Sequence, residues 1–148
     1  MPLDLDGNKY ELIISETLDW KAARNAARNL AAPGCDSSHL ATLTSPEEQA
    51  LGAILMDEIT ENNAWLGGRQ TGKTSEDKWR WITNEPWDGD DANWAGDEPN
   101  DTPLDTEIPG SEQYLELLSE FTPVNLGLWN DAPGHETKFF VVESEGCD

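Results

Sequence analysis

The spacing of apolar and polar positions divides the chain into a helical front part and a strand-rich remainder. Lys9 to Ser15 (KYELIIS) is predicted to be a first strand. Thr17 is then placed to cap a helix, with Asp19 in the first turn, where a negative charge suits the helix dipole. Trp20, Ala23, Ala27 and Leu30 recur on one face, and Pro33-Gly34 closes the run. A second helix carries a stronger signature. Ser45 is its cap, Pro46 its first residue, and Glu48 completes a Ser-x-x-Glu capping box. Leu51, Ile54, Leu55 and Ile59 supply its apolar face.

After Asn62-Asn63 the period shortens. Ala64-Trp65-Leu66-Gly67 and Lys78-Trp79-Arg80-Trp81-Ile82 read as strands, the second with both tryptophans on one face. Residues 83–111 follow, rich in Asp, Asn, Gly and Pro and lacking either periodicity. A loop of that length in a compact domain is usually functional or disordered. Strands resume at Gln113–Leu118, around Leu128-Trp129 and at Lys138–Glu143. One strand, two helices and then mostly strands around a long loop is the order of an α+β domain. The length suits a single domain over residues 1–148.

Charge changes the picture most. Thirty acidic residues against nine basic ones give a net charge of −21. Such a surface repels nucleic acid and anionic membranes and attracts divalent cations. Part of that acidity serves only to keep the chain soluble, but solubility does not explain where particular carboxylates stand. Seven tryptophans argue for a folded domain with large aromatic anchors. No apolar run approaches the roughly 18–20 residues of a membrane span, so no membrane insertion is expected. Met1 to Asp6 lacks the basic start and apolar stretch of a signal peptide. The chain therefore reads as a domain of a longer protein, or as a mature form with a new initiator Met. Cys35 and Cys147 belong to no close Cys or His pair, which argues against zinc. A disulfide between them is expected, and with it an extracytoplasmic setting.

The candidate chemistry lies in and after the long loop. Glu98-Pro99-Asn100 is followed by Asp101, then Glu112, and then by Asn130-Asp131 directly after Trp129. If they converge, Glu98, Glu112 and Asp131 with the amide oxygens of Asn100 and Asn130 form an all-oxygen shell, the preference of Ca2+. The mixture also suits a sugar hydroxyl, which has two lone pairs and one hydrogen. One lone pair can coordinate the ion, the other can accept from an Asn NH2, and the hydrogen can go to a carboxylate. Taken singly, Glu-Pro-Asn and Asn-Asp are ordinary turn sequences; their order and context make the signal.

Trp20…Ala23, His39-Leu40-Ala41-Thr42-Leu43, Ser45…Glu47-Glu48, Trp65-Leu66-Gly67-Gly68, Trp79-x-Trp81, Trp94, Glu98-Pro99-Asn100, Trp129-Asn130-Asp131 and Phe140-Val141-Val142-Glu143 together resemble the C-type lectin-like domain family. The match runs in order from about Tyr10 to Glu143. It implies a double-loop fold with two helices and small antiparallel sheets, the long loop carrying a calcium and sugar site. Residue by residue, the resemblance makes Glu98, Asn100, Glu112, Asn130 and Asp131 the calcium ligands, and Glu98, Asn100, Glu112 and Asn130 the sugar contacts. The Glu-Pro-Asn variant implies mannose-, glucose- or fucose-type sugars. This chain departs from the two-disulfide members by placing Tyr114, Gly134 and Val142 where they have cysteines, as a cysteine-poor bacterial-like branch would. The stretch between Asn100 and Glu112 is longer than usual, which leaves Glu107 or Asp105 as substitutes for Glu112. A second calcium would draw on Glu76, Asp101 and Asp105, although Gln113 stands where another acid is common. A further site near Glu47 and Glu143 competes with helix capping and surface charge.

Two other functions compete. A glycosidase would need a carboxylate pair free to protonate, whereas acids on calcium are held ionised, and no nucleophile elbow or phosphate loop is present. The chain is thus expected not to be an enzyme. A module of the same fold that binds protein or ice is the stronger rival, since fold alone does not decide function. Trp65, Trp79, Trp81 and Trp129 read as core; Trp87 and Trp94 read as loop anchors or stacking platforms. The expectation is an adhesion or recognition module of a larger extracellular protein, with carbohydrate, including cell-surface glycans of another organism, as its partner.

Overall fold

Leu3–Leu5 (β1) and Asn8–Leu18 (β2) form an antiparallel hairpin around Asp6-Gly7. Both turn residues have positive φ, 51° and 85°, as a two-residue hairpin turn requires and Asp-Gly accommodates. The structure is a computed structural model that describes residues 3–57, 59, 62–70, 79–87, 92–96, 114–119 and 126–147. Because β2 continues through Thr17, Thr17 does not cap the first helix. Asp19 does, accepting from the Ala22 backbone N–H at 2.8 Å. Helix α1 (Trp20–Ala27) buries Trp20, Ala23 and Ala27. It ends before Leu30, which is 42% exposed rather than part of the apolar face.

Helix α2 (Pro46–Met56) begins as expected, with Ser45 Oγ accepting from the Glu48 N–H at 3.2 Å and Pro46 in its first turn. The Glu48 carboxylate reaches back one residue further than a capping box does, accepting from the Thr44 N–H and hydroxyl at 3.1 and 2.8 Å. Leu51, Gly52 and Met56 are buried, with Leu55 and Ile59 packed partly against the core. Ile54 falls between those turns on the outer face and is 65% exposed, which corrects the predicted stripe.

The remaining strands are β3 (Ser37–Leu40), β4 (Ala64–Gln70), β5 (Trp79–Trp81), β6 (Tyr114–Leu117), β7 (Trp129–Ala132) and β8 (Lys138–Glu145). Among the described residues they form one hydrogen-bonded array in the order β1-β2-β8-β4-β6-β7, with β3 also on β8 and β5 on β4. The α+β class holds. The small antiparallel sheets, however, are joined by a parallel pairing of β4 with β8, Ala64 opposite Phe139 and Trp65 opposite Phe140.

Alternation along the central strands feeds two cores. Phe139 and Val141 of β8, with Ala64 and Leu66 of β4, face the cluster containing Leu51, Met56 and most of the tryptophans. Phe140, Val142 and Trp65 face the cluster under α1 with Trp20, Ala23 and Ala27. A strand covered on both faces is apolar on both where nothing pairs a polar group; β8 is buried from Lys138 to Ser144, apolar from Phe139 to Val142, with the polar Lys138, Glu143 and Ser144 at its ends. Cys35 and Cys147 are bonded across 112 positions of sequence. Among the described residues no helix is long and apolar enough to cross a membrane.

Candidate functional site

Strand β7 carries Asn130 and Asp131, the two predicted ligands within the described residues. Five tryptophans hold its surroundings. Trp129 is fully buried and meets Trp81, Trp87 and Trp94 with ring centroids 5.5, 5.6 and 5.8 Å away. Trp79 completes the cluster, 5.0 Å from Trp94 and 5.8 Å from Trp87. Trp87 and Trp94 are therefore loop anchors packed on the core, not exposed platforms. The backbone around Trp94 is also pinned. Asn93 O accepts from the Trp129 N–H, and Trp129 O accepts from the Ala95 N–H, both at 2.9 Å. The chain through Trp94 thus runs parallel to β7 toward Asn130 and Asp131. On the other side of β7, Tyr114 pairs with Ala132 and Leu115 with Asp131.

Asn130 is half-buried and faces Glu116, its cross-strand partner. Its Nδ2 donates to Glu116 Oε2 at 2.6 Å. Since a carboxylate only accepts, that contact fixes which branch of the amide carries the NH2 and leaves Oδ1 for another partner. Asp131 is fully buried. An amide oxygen and a carboxylate on consecutive residues are donors that fit a hard cation. Glu98, Asn100 and Glu112 lie outside the described residues, as do Glu76, Asp101 and Asp105 of the expected second site and the substitutes Asp105 and Glu107.

Glu116 itself escaped the sequence reading. It is 4% exposed, and its Oε1 lies 3.0 Å from Lys138 Nζ and accepts from Asn63 Nδ2 at 3.0 Å. Lys138 is buried as well and reaches Glu136 Oε1 at 2.9 Å. Burial alone would lower the lysine pKa, but Glu116 and Glu136 outweigh it and hold the ammonium above its ordinary value. The available signal was an acid between Leu115 and Leu117 and a lysine opening the apolar run of β8, since buried charges require partners.

A second acidic group joins β2, α2 and β8. Glu143 is 3% exposed. It accepts from the Thr42 N–H at 3.0 Å, from Asn8 Nδ2 at 2.9 Å and from the Tyr10 hydroxyl at 3.2 Å. Tyr10 also hydrogen-bonds Glu48, so Glu48, rather than the expected Glu47, faces Glu143. His39 Nε2 lies 2.9 Å from Glu145, and ligand atoms of His39, Glu143 and Glu145 fall within 4.8 Å of one another. Glu143 is satisfied by Thr42, Asn8 and Tyr10, and His39 by Glu145 and the Leu40 carbonyl at 2.6 Å, so we read the group as a structural tie. Burial raises the Glu143 pKa above the usual carboxylate range; the Thr42 N–H and His39 oppose this, and Glu48 and Glu85 add to it. Burial and the bond to Glu48 push the Tyr10 phenol up as well.

The sign for stability follows from linkage. A carboxylate whose pKa is raised by folding stabilises the fold fully below its unfolded pKa, and that contribution is lost as pH rises through the folded value. Glu143→Gln is expected to remove this dependence. The melting temperature of the wild type should therefore fall relative to the variant as pH rises from about 4 toward neutrality. A constant difference in Tm across that range would contradict the assignment.

Tyr114 and Gly134, two of the positions at which the resemblance would put cysteines, meet in the structure. The Tyr114 ring packs against Trp20, centroids 4.5 Å apart and tilted by 31°, and lies so close over Gly134 that a Cβ there would sit 2.5 Å from Tyr114 Cε2. This aromatic-on-glycine contact lies beside a cavity of about 300 Å³ lined by Asp19, Lys21, Tyr114, Gly134 and His135.

No protein-family model matches the chain. Its structure is similar to the C-type lectin domain of murine dendritic cell inhibitory receptor 2 in complex with N-glycan. The TM-score is 0.76 at 19% identity, covering 97% of this chain and 95% of that one. It is also similar to the cow C-type carbohydrate-recognition domain of CD23, in the presence of GlcNAc2Man3 oligosaccharide, with a TM-score of 0.69, 26% identity and coverages of 96% and 91%. A calcium-independent type II antifreeze protein matches with a TM-score of 0.68, 19% identity and coverages of 96% and 89%. The chain has the fold of a C-type lectin-like domain. In sequence it is similar to Halomucin of Haloquadratum walsbyi (strain DSM 16790 / HBSQ001), 35% identical over 108 residues, or 64% of this chain. The chain spans 1% of that protein's length.

Proposed function

We propose that this domain binds carbohydrate through calcium, taking vicinal hydroxyls of mannose-, glucose- or fucose-type sugars. Glu98, Asn100, Glu112, Asn130 and Asp131 would hold the ion, and Glu98, Asn100, Glu112 and Asn130 would also bond the hydroxyls. A second ion would draw on Glu76, Asp101 and Asp105. Bound calcium would supply coordination of two sugar oxygens. The carboxylates would accept the hydroxyl hydrogens, and the amides would donate to the remaining lone pairs.

One observation carries this reading: the described chain arrives at Asn130-Asp131 from both sides. Trp94 to Gly96 runs along β7 toward them, and Tyr114 pairs next to Asp131. Glu98 and Asn100 follow Gly96 by two and four residues, and Glu112 precedes Tyr114 by two. At about 3.5 Å per residue these lengths permit convergence on one ion. The Cys35–Cys147 disulfide supports an extracellular setting, since such bonds persist where conditions oxidise. We place the domain in a larger adhesion or recognition protein whose partners include glycans on other cells. A binding role rather than catalysis suits acids held on a metal.

The test is glycan-array binding with calcium and with chelator, on wild type and Asn100→Ala. Binding to mannose- or fucose-type glycans should vanish with chelator and in the variant. Binding that survives chelation would sink the calcium bridge. The similarity to a calcium-independent antifreeze protein gives substance to a second reading, a protein- or ice-binding module without sugar specificity. Free mannose would compete with the first function and leave the second untouched.

A further inference from the structure

A buried ion pair is weak evidence of stability, because desolvating both charges offsets their attraction. Glu116 and Lys138 nonetheless sit in the sheet at 4% and 8% exposure. They occupy the interior beside Asn130, and their hydrogen bonds are asymmetric. Lys138 Nζ and Asn63 Nδ2 both converge on Glu116 Oε1 at 3.0 Å. Oε2 is left to Asn130 Nδ2 at 2.6 Å. Asn63 is itself fixed, its Oδ1 accepting from the Ser119 N–H at 3.0 Å. Lys138 is fixed by Glu136 and by the face of Trp65, 5.2 Å from its ammonium. Among the described residues each of these partners of Glu116 is a donor, and together they hold both carboxylate oxygens in place.

We propose that Glu116, clamped by Lys138 and Asn63, is a positioning residue that sets the Asn130 carboxamide with its oxygen free for a cation and one N–H free for a sugar hydroxyl. This rests on the reading of Asn130 as a ligand. An unheld Asn side chain can present either end to its surroundings, because the two branches are alike in shape. A carboxylate across the strand accepts only from the nitrogen end and removes the choice. Partners one shell out from a metal ligand commonly alter affinity 10–100-fold when lost.

Glu116→Gln makes the sharpest test because the environment dictates how glutamine must sit. Lys138 and Asn63 are both donors at the Oε1 position, so the glutamine oxygen goes there. Its NH2 then faces Asn130, which can meet it only by turning its own oxygen inward. Calcium affinity, measured by titration calorimetry, is expected to fall about 10–100-fold. Glu16→Gln, which removes an exposed charge on β2 outside this network, should leave affinity unchanged. A further readout needs no metal. In calcium-free wild type one Asn130 side-chain amide proton, assigned by its loss in Asn130→Ala, should lie downfield in the NMR spectrum and exchange slowly. It should stay there in Glu16→Gln and move in Glu116→Gln.

Unchanged affinity in a folded Glu116→Gln would overturn the proposal. So would an Asn130 amide proton at an ordinary position in the wild type, a measurement that stands even if the variant fails to fold. If wild type shows the amide signature but binds no calcium, the calcium reading has failed and the role of Glu116 falls with it. If wild type binds calcium but lacks the signature, the positioning role alone has failed.

Discussion

Cys147→Ser is expected to lower stability by about 4–5 kcal/mol, from the loop-closure entropy of a crosslink over 112 positions. For a domain of this size that is a fall in Tm of roughly 10–20 °C. The effect should lie almost wholly in the unfolded chain. In the folded state the two ends are already held by Asp36 N–H to Glu145 O at 2.8 Å, Ala32 N–H to Ser144 Oγ at 2.9 Å, and the pairing of Ser37 with Glu145. The variant should thus keep its fold, with near-ultraviolet circular dichroism unchanged at room temperature, and melt early in calorimetry. Adding reductant should move wild type to the variant's Tm and leave the variant where it was. A shift under about 1 kcal/mol would mean that the unfolded chain is already compact enough to make the crosslink redundant.

That bond is the expectation from two cysteines alone, whereas its setting was not legible. The structure ties the chain end to the segment between α1 and β3, a placement set by the pairing of β3 with β8, and Ser37–Leu40 carried no strand pattern that would have announced it. The helices were legible where local chemistry decides. Ser45, Pro46 and Glu48 specify a start regardless of tertiary context. The first helix was misread at both ends because Thr17 is drawn into β2, and because an apolar residue at the helical interval, Leu30, counts only while the helix lasts. The hairpin at Asp6-Gly7 had a sequence signal, Asp-Gly between Leu3-x-Leu5 and the next strand, that can be read directly.

The candidate site divides along the same line. Asn130 and Asp131 stood out by residue type and by following Trp129. Glu116, Lys138 and Asn63 did not, because what gives them meaning is a meeting of separate elements, and no spacing along the chain records it. Residue type nominates a ligand; only packing shows what holds it in place. The acidic tie of Glu143, Tyr10 and Glu48 makes the same point, since helix periodicity alone could not tell Glu47 from Glu48.

Trp94→Ala is expected to reduce stability by about 3 kcal/mol, the low end for removing a large aromatic from a core, because Trp94 is half-buried. The corresponding fall in Tm is roughly 6–12 °C. The substitution strips the indole from its packing against Trp79, Trp87 and Trp129, whose ring centroids lie 5.0, 6.1 and 5.8 Å away. The backbone bonds between Asn93, Ala95 and Trp129 use no side-chain atom of Trp94, so β7 should keep its place and the protein should still fold. What weakens is the hold on the chain where it leaves Gly96 toward Glu98 and Asn100. If those residues are calcium ligands, binding in the variant must first fix the chain from Trp94 to Gly96, which the tryptophan cluster otherwise holds, and affinity should fall by about tenfold, or 1.4 kcal/mol. Trp87→Ala separates the two effects. Trp87 shares the cluster with Trp79, Trp81 and Trp129 but has no backbone bond to β7 among the described residues, so its replacement should lower Tm with less effect on calcium. Equal falls in calcium affinity in both variants would mean that general softening of the core, and not the anchoring at Trp94, governs the site. A lower Tm with unchanged affinity in Trp94→Ala would detach the cluster from ligand binding altogether.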